Sequence, residues 1–325
     1  MASTMLPAIR ATWPDAVVTW LTDTALVALV QRFEGVDETI AVEAGTLLAG
    51  NPLARAGSLA RCWKALGMRQ WDRGIVAHAD PRYRLLMTGA RIRSLTVKPP
   101  VVVGERPLPW MGEQYAALVG GATGGAPAAL AALMPSRLAA VAGTRSGIVL
   151  APGGARNLLR DDPLRRWPLA RWTQLAAALA NAGHAVTLVG GLDDVEDARH
   201  IAANVPAVEN LAGRTSLESL LTRVEHARLV VTHDSGTLHL AALTRTPAVA
   251  LFGPTVAAER IPPGTPIVVA TAAAGLSCAP CYDGRNYAPC AHNRCLADVP
   301  VDAVLRLVER QLQSDPARFG LEYET

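Results

Sequence analysis

Apolar residues recur along this chain on two periods, short β-branched runs and helical stripes, and their alternation is sharper in the second half than in the first. From Gly147 onward the pattern predicts a strand over Ile148–Ala151, a helix over Ala170–Ala182 closed by Gly183, and a strand over Ala185–Val189 running into Gly190-Gly191. Helices come next over Asp193–Ala203 and Ser216–Glu225, the second opened by a Ser-Leu-Glu start suited to capping. Leu229–Thr232 reads as a buried strand, and Leu238, Leu240, Ala241 and Ala242 as the apolar positions of a helix. Strands over Ala248–Phe252 and Ile267–Ala270 and a helix over Val301–Gln313 complete a doubly wound parallel α/β sheet of Rossmann type.

The first half alternates more loosely. A helix over Met1–Ala11 ends near Pro14, and strands are expected over Ala16–Leu21, Glu38–Val42, Gly74–Ala77 and Ile92–Val97. Leu53, Leu59, Trp63 and Leu66 form a helical stripe, and Tyr83–Ala90 a further helix. The stretches Pro99–Pro109 and Gly120–Ala132 flank a helix over Met111–Val119 and lack the pattern of folded core. A boundary near Thr144 gives two domains, 1–144 and 145–325.

Composition is consistent with this division. At 325 residues, 50% hydrophobic and 18% charged, the chain can bury more than one core. A net charge of +3 permits phosphorylated ligands but does not call for a polyanion, so nucleic acid is not implied. No run reaches the roughly 18 apolar residues of a spanning helix. Met1–Asp15 also lacks the basic-then-apolar layout of a secretory signal, and a soluble cytoplasmic protein is expected.

The most specific stretch is Arg228–Leu243 with Pro247–Thr255 behind it: a strand, then Asp234-Ser235-Gly236-Thr237-Leu238-His239, then Phe252-Gly-Pro-Thr255. Asp234 and Ser235 are placed to cap the helix start, and Gly236 lets backbone approach a ligand whose phosphates sit on free amides at the positive end of the dipole. Taken singly, each residue fits an ordinary crossover cap, with His239 a satisfied histidine. Pro152-Gly153-Gly154 leaves a strand with two glycines that can meet a pyrophosphate or a sugar. It is neither a Walker loop nor Gly-x-Gly-x-x-Gly, so a nicotinamide cofactor has little support. Arg165 and Arg166 just before a helix can neutralise a diphosphate, with Trp167 packed on the sheet.

Cys278-x-x-Cys281, Cys290 and Cys295 suit a tetrahedral thiolate site for zinc, less often iron, or else a set of reduced packing cysteines on a loop. Any metal there is structural, because four thiolates leave no open position. The cluster is expected to clamp the loop between Pro266 and Val299, away from the ligand site.

The order Pro152-Gly-Gly, Arg165-Arg-Trp-Pro, Val189-Gly-Gly, Asn210–Glu218, Asp234–His239 and Phe252–Thr255 closely resembles glycosyltransferase family 9, which includes the lipopolysaccharide heptosyltransferases. The resemblance implies a GT-B fold, two Rossmann-like domains facing across a cleft, with the donor in the C-terminal one. It implies ADP-heptose as donor and a lipopolysaccharide inner-core acceptor, with at most peripheral contact with the inner membrane. It assigns the pyrophosphate to Ser235, Gly236 and Thr237, turns Asp234 and His239 toward the donor, and gives Gly153, Gly154, Arg165 and Arg166 to the same site. Arg165 stands where the family commonly has lysine and is expected to stabilise the departing diphosphate, so that no metal cofactor is required.

Family members open with a strand and a Gly-Asp loop whose aspartate is the expected general base. Met1–Arg10 aligns with the family segment just after that loop, so the strand and aspartate are missing from this sequence, leaving Asp23 and Asp80 as remote candidates. His78 and Asp80 fall just past a strand end, where loop polarity explains them equally well. The leading expectation is heptose transfer. The alternatives are a catalytically impaired nucleotide-sugar-binding protein and a GT-B epimerase, whose acid and base residues are not identifiable.

Overall fold

The computed structural model describes residues 1–99, 110–120, 144–157, 160–284, 286–314 and 323–324. The stretches 100–109 and 121–132, expected to lack core, lie outside the described residues. The chain divides into two compact units, Met1–Ala139 and Ala140–Thr325.

The first unit runs α1 (Met5–Thr12), β1 (Thr19–Asp23), α2 (Val27–Val30), β2 (Glu38–Val42), α3 (Ala44–Ala49), α4 (Pro52–Gly67), β3 (Gln70–Val76), α5 (Pro81–Leu86), β4 (Arg91–Val97) and α6 (Met111–Gly120). β1 begins three residues later than the hydrophobic run suggested, and Val18 leads into it with its carbonyl accepting from the Asp37 and Glu38 amides. α4 starts at Pro52 under an Asn51 cap, whose Oδ1 accepts from the Ala54 amide at 2.9 Å. Its buried face is Ser58, Cys62 and Leu66, spaced i, i+4, i+8; Leu53, counted in the expected stripe, is 87% exposed in the first turn.

β1 and β2 form one parallel pair, and β3 and β4 another. The pairs share helix layers. Trp20 and Ile75 pack on the cluster of α1 and α6, whereas Leu21, Ile40 and Trp71 pack on the cluster holding Cys62 and Leu66 of α4. Among the described residues no strand joins β1 to β3.

The second unit runs β5 (Ser146–Ala151), β6 (Arg156–Asn157), β7 (Arg160–Asp161), α7 (Leu169–Asn181), β8 (Val186–Leu188), α8 (Val195–Asn204), β9 (Glu209–Asn210), α9 (Leu217–His226), β10 (Ala227–His233), α10 (Gly236–Thr244), β11 (Ala248–Leu251), α11 (Ala257–Arg260), β12 (Ile267–Ala270), α12 (Arg294–Ala297), α13 (Val301–Gln313) and β13 (Tyr323–Glu324). Seven strands form one sheet in the order β13-β12-β11-β10-β5-β8-β9, every neighbouring pair parallel. Parallel strands covered by helices on both faces read as continuous apolar runs, which is why the sequence pattern was legible here.

Trp172, Leu175 and Leu179 of α7, Ile201 of α8, and Val304, Leu307 and Val308 of α13 bury against this sheet. α9 is capped as its sequence implies, the Ser216 hydroxyl accepting from the Ser219 amide at 3.1 Å. From β5 the chain winds outward through β8 and β9, then returns to place β10 on the opposite side of β5. The loops after β5 and β10 therefore part at the switch point of the sheet, where doubly wound folds open a ligand crevice.

Candidate functional site

Four segments meet at that switch point: the glycine loop after β5, the basic turn before α7, the turn from β10 into α10, and Phe252–Thr255 after β11. The glycine loop is held from below by Asp194, whose carboxylate accepts from the Gly154 amide at 3.1 Å and the Gly191 amide at 2.8 Å. It also faces the Arg156 guanidinium at 3.3 Å. A side chain at Gly153 would place its Cβ 2.1 Å from this carboxylate. Gly154 has φ +87°, and its Cβ would stand 2.9 Å from that of Ser235. Both glycines are thus required by the protein's own packing, in addition to the ligand approach expected of them.

Arg165 reaches across from the basic turn. One of its Nη atoms lies 3.2 Å from Asp234 Oδ2 and 3.1 Å from the Asp234 carbonyl, and the other 3.3 Å from Asp162. Burial works against its charge, but the Asp234 and Asp162 carboxylates outweigh it and raise its pKa above the usual arginine value. Arg166 donates from Nε to the Gly154 carbonyl at 3.1 Å and so is committed to shaping the loop. Trp167 is 2% exposed, edge-on to Trp172 at 5.4 Å, with its indole N–H on the Val299 carbonyl.

Asp234 and Ser235 do not cap α10. Asp234 is 3% exposed, and its Oδ2 accepts from Thr255 Oγ1 at 3.0 Å and faces both Arg165 and Arg260. The Ser235 hydroxyl pairs with Thr232 Oγ1 at 3.0 Å. The cations and the neighbouring threonines compete for these side chains and win, which leaves the first amides of α10 without a side-chain cap. Gly236 is exposed, with no protein atom within 4 Å of its Cβ position, and Thr237 and His239 sit half-buried on the first turn. The result is an open helix N-terminus beside a fixed cation, an arrangement suited to a diphosphate.

Thr255 and His233 are the residues that sequence reasoning missed. Thr255 lay inside a quoted motif without a role. The sequence signal for His233 was its place as the last strand residue before Asp234. It is fully buried, accepts from the Trp167 amide at 2.7 Å on Nε2, and meets the Gly153 carbonyl at 3.1 Å through Nδ1. Burial pushes its pKa down to about 4, so the ring is neutral at pH 7.

From sequence the cysteine segment is expected to lie away from this site, but it packs on it. The Cys281 and Tyr282 amides both donate to the Pro254 carbonyl at 3.0 Å, and Asn293 Nδ2 donates to the Arg166 carbonyl at 3.3 Å. A Cβ on Gly253 would come within 2.8 Å of Cys295 Sγ. Among the described residues no three His, Cys, Asp or Glu side chains are gathered as a metal-ligand set. Cys278 and Cys290 are exposed, while Cys295 is buried and its thiol is pushed up to about 11 by burial first and the neighbouring thiols next. Cys295 Sγ meets Asn293 Oδ1 at 3.6 Å.

In the first unit, Asp23 accepts from the Ala25 amide at 2.8 Å with one oxygen and from the Ala44 amide at 2.9 Å with the other. Asp80 chelates Arg82, whose hydrogen bonds hold the Asp80 carboxyl at about 2. His78 is turned back to accept from the Asp80 amide at 3.0 Å and stacks on Tyr83. Both carboxylates cap local turns, Asp23 at Ala25 and Asp80 at Arg82.

The sequence model of glycosyltransferase family 9 (heptosyltransferase) matches residues 131–292, which hold all four segments. The chain is 38% identical over 97 residues to lipopolysaccharide heptosyltransferase 2 of Salmonella typhimurium. It is 35% identical over 121 residues to lipooligosaccharide heptosyltransferase 2 of Haemophilus influenzae. This chain belongs to glycosyltransferase family 9. The matched sequence spans 28% of this chain and of the Salmonella relative, and 36% of this chain and 34% of the Haemophilus one. The structure of E. coli ADP-heptose lipopolysaccharide heptosyltransferase II superposes with a TM-score of 0.74 at 22% identity, covering 96% of this chain and 94% of that one. The fold of this family member is accordingly GT-B.

Proposed function

We propose that this chain transfers heptose from ADP-heptose to a lipopolysaccharide inner-core acceptor with inversion at the sugar carbon. The observation that carries the reading is the uncapped start of α10 at the switch point, open at Gly236 and flanked by Arg165. Family membership and the curated heptosyltransferase relatives support the donor and acceptor classes.

In the proposed reaction the acceptor hydroxyl oxygen attacks the anomeric carbon and gives up its proton to water as the bond to the diphosphate oxygen breaks, and ADP departs with the electron pair. The negative charge that develops meets the α10 amides and the Arg165 guanidinium, already fixed by Asp234 and Asp162, so little reorganisation is needed. Under this reading the leaving-group charge needs no metal cofactor, and the cysteine segment acts by packing on Pro254 and Arg166. Elemental analysis of protein purified without chelator tests the last point, and a full equivalent of zinc or iron per chain would refute it. No helix among the described residues is long and apolar enough to cross a membrane. We place the enzyme on the cytoplasmic side, peripheral at most to the inner membrane.

Release of ADP from ADP-heptose in the presence of core-oligosaccharide acceptors tests the function. Acceptor-dependent release supports it; ADP-heptose binding without release across an acceptor panel would leave a binding protein. Because Asp23 and Asp80 are engaged, Asp23→Asn and Asp80→Asn variants are expected to retain the wild-type rate per folded molecule. A fall of the roughly 10²-fold associated with loss of a general base would reinstate one of them.

A further inference from the structure

Among the described residues, His233 is the one fully buried titratable group at the switch point that the proposed reaction leaves unused. It closes β10, and its ring touches the two other segments that frame the α10 turn. The Trp167 amide donates to Nε2 at 2.7 Å. A nitrogen that accepts an N–H carries its lone pair there, so the single proton of the neutral ring sits on Nδ1 and is donated to the Gly153 carbonyl at 3.1 Å. The ring edge meets Trp172 at 5.1 Å and 88°, which fixes the imidazole plane. One side chain thus ties the glycine loop to the turn bearing Arg165 and Arg166, and does so from the residue preceding Asp234.

We infer that His233 is a positioning residue that holds the three donor-binding segments in register through a neutral, Nδ1-protonated imidazole. This rests on the ADP-sugar reading of the site. The Trp167 bond depends on neutrality, because a second proton on Nε2 would oppose the Trp167 N–H, whereas the Nδ1–H bond to Gly153 persists in either state. The charged groups facing the ring are Arg165 and Arg166 from the basic turn and Asp194 from under the glycine loop. Burial and the two cations disfavour the imidazolium, against the opposing pull of the Gly153 carbonyl and Asp194. The register matters because Arg166 bonds to the Gly154 carbonyl and Gly154 abuts Ser235, so a shift of one loop moves the other two.

The test is calorimetric titration of ADP into the full chain and into His233→Phe, His233→Asn and His233→Gln, with a thermal melt of each. Phenylalanine keeps the ring and its contact with Trp172 but loses both hydrogen bonds. Asparagine can place its amide where Nδ1 sits and retain the Gly153 tie, while glutamine reaches the Nε2 position and retains the Trp167 tie. The Kd for ADP is expected to rise roughly tenfold or more in the phenylalanine variant and by less in the other two. A histidine that served only stability would lower the melting temperatures and leave the Kd of the folded protein unchanged, and that result overturns the inference.

Long-range proton–nitrogen spectra of the wild-type histidines keep the proposal falsifiable should the variants not fold. The expected result is one ring held as the Nδ1–H tautomer from pH 8 down to pH 5. If no ring behaves so, or if the ring assigned to His233 carries its proton on Nε2 or titrates near the usual 6.5, the proposal is overturned. Absence of ADP binding by the wild type would remove the donor reading, and this inference with it. A wild type that binds while the phenylalanine variant binds equally well removes the inference alone.

Discussion

Gly153 and Gly236 both belong to glycine turns at the switch point, yet their surroundings predict opposite behaviour. Alanine at Gly153 would drive a methyl group into Asp194, which must then release the Gly154 and Gly191 amides. Gly153→Ala is expected to lower stability by roughly 1–3 kcal/mol, the usual range for overpacking, and to weaken ADP binding. Gly236→Ala meets open space, so stability should stay within about 0.5 kcal/mol while ADP binding weakens. Urea unfolding alongside calorimetry separates the two, and equal stability losses would refute the distinction. Asp234 couples binding to stability. In the fold, Asp234→Ala strands the Arg165 and Arg260 guanidinium groups without their shared carboxylate, a loss of about 3–5 kcal/mol by analogy with broken buried ion pairs. The motif identified the residue, but its partners come from residues far away in the chain.

At the scale of elements, α10 and the cysteine segment show where local sequence rules are overridden. A serine before a helix usually accepts from its first-turn amides, at a cost of about 1 kcal/mol when replaced by alanine. Here the Ser235 hydroxyl is on Thr232, so Ser235→Ala is expected to cost clearly less than that in chemical denaturation; a full cap-sized loss would show that the hydroxyl returns to the helix. The cysteine segment was read as a separate clamp because its spacing pointed to a metal. Its backbone is instead anchored on Pro254 and Arg166. Thiol labelling with Ellman's reagent at pH 8 should modify Cys278 and Cys290 rapidly. Cys295 should react slowly, because burial hides it and a thiol pushed up to about 11 has little thiolate at that pH. Rapid modification of Cys295 would contradict the packing described.

At the scale of the whole molecule, His233 links the site to stability against pH. Its pKa falls from 6.5 to about 4 on folding, so the unfolded chain binds the proton more tightly. Its contribution is complete above pH 6.5, declines as pH falls, and is gone below about 4, a change on the order of 3 kcal/mol. Replacing His233 with phenylalanine should flatten the stability profile between pH 6.5 and 4, measured by denaturant titration, and an unchanged slope would refute the assignment. Hydrogen exchange with and without ADP offers a second reading. Protection is expected in the segments around 152–167, 233–240 and 252–260, all within the second unit.

The sequence by itself determined five of the seven strands of the second unit's sheet and its five longest helices. A parallel sheet buried on both faces leaves strands as unbroken apolar runs, and Ile148–Ala151, Ile267–Ala270 and Val301–Gln313 stand out for that reason. It also located the turn at the switch point, because Asp234-Ser235-Gly236 comes after a strand and begins a helix. The tertiary structure alone decided the partners of each side chain. Asp194 stands 40 residues from Gly154, His233 80 from Gly153, and Thr255 and Arg260 21 and 26 from Asp234, and contacts over such separations leave no trace in local periodicity. Hence Asp234 became an ion-pair anchor rather than a helix cap, and Asp23 and Asp80 cap local turns. Each carboxylate is claimed by the strongest donors that folding brings within reach, and only the fold specifies which those are.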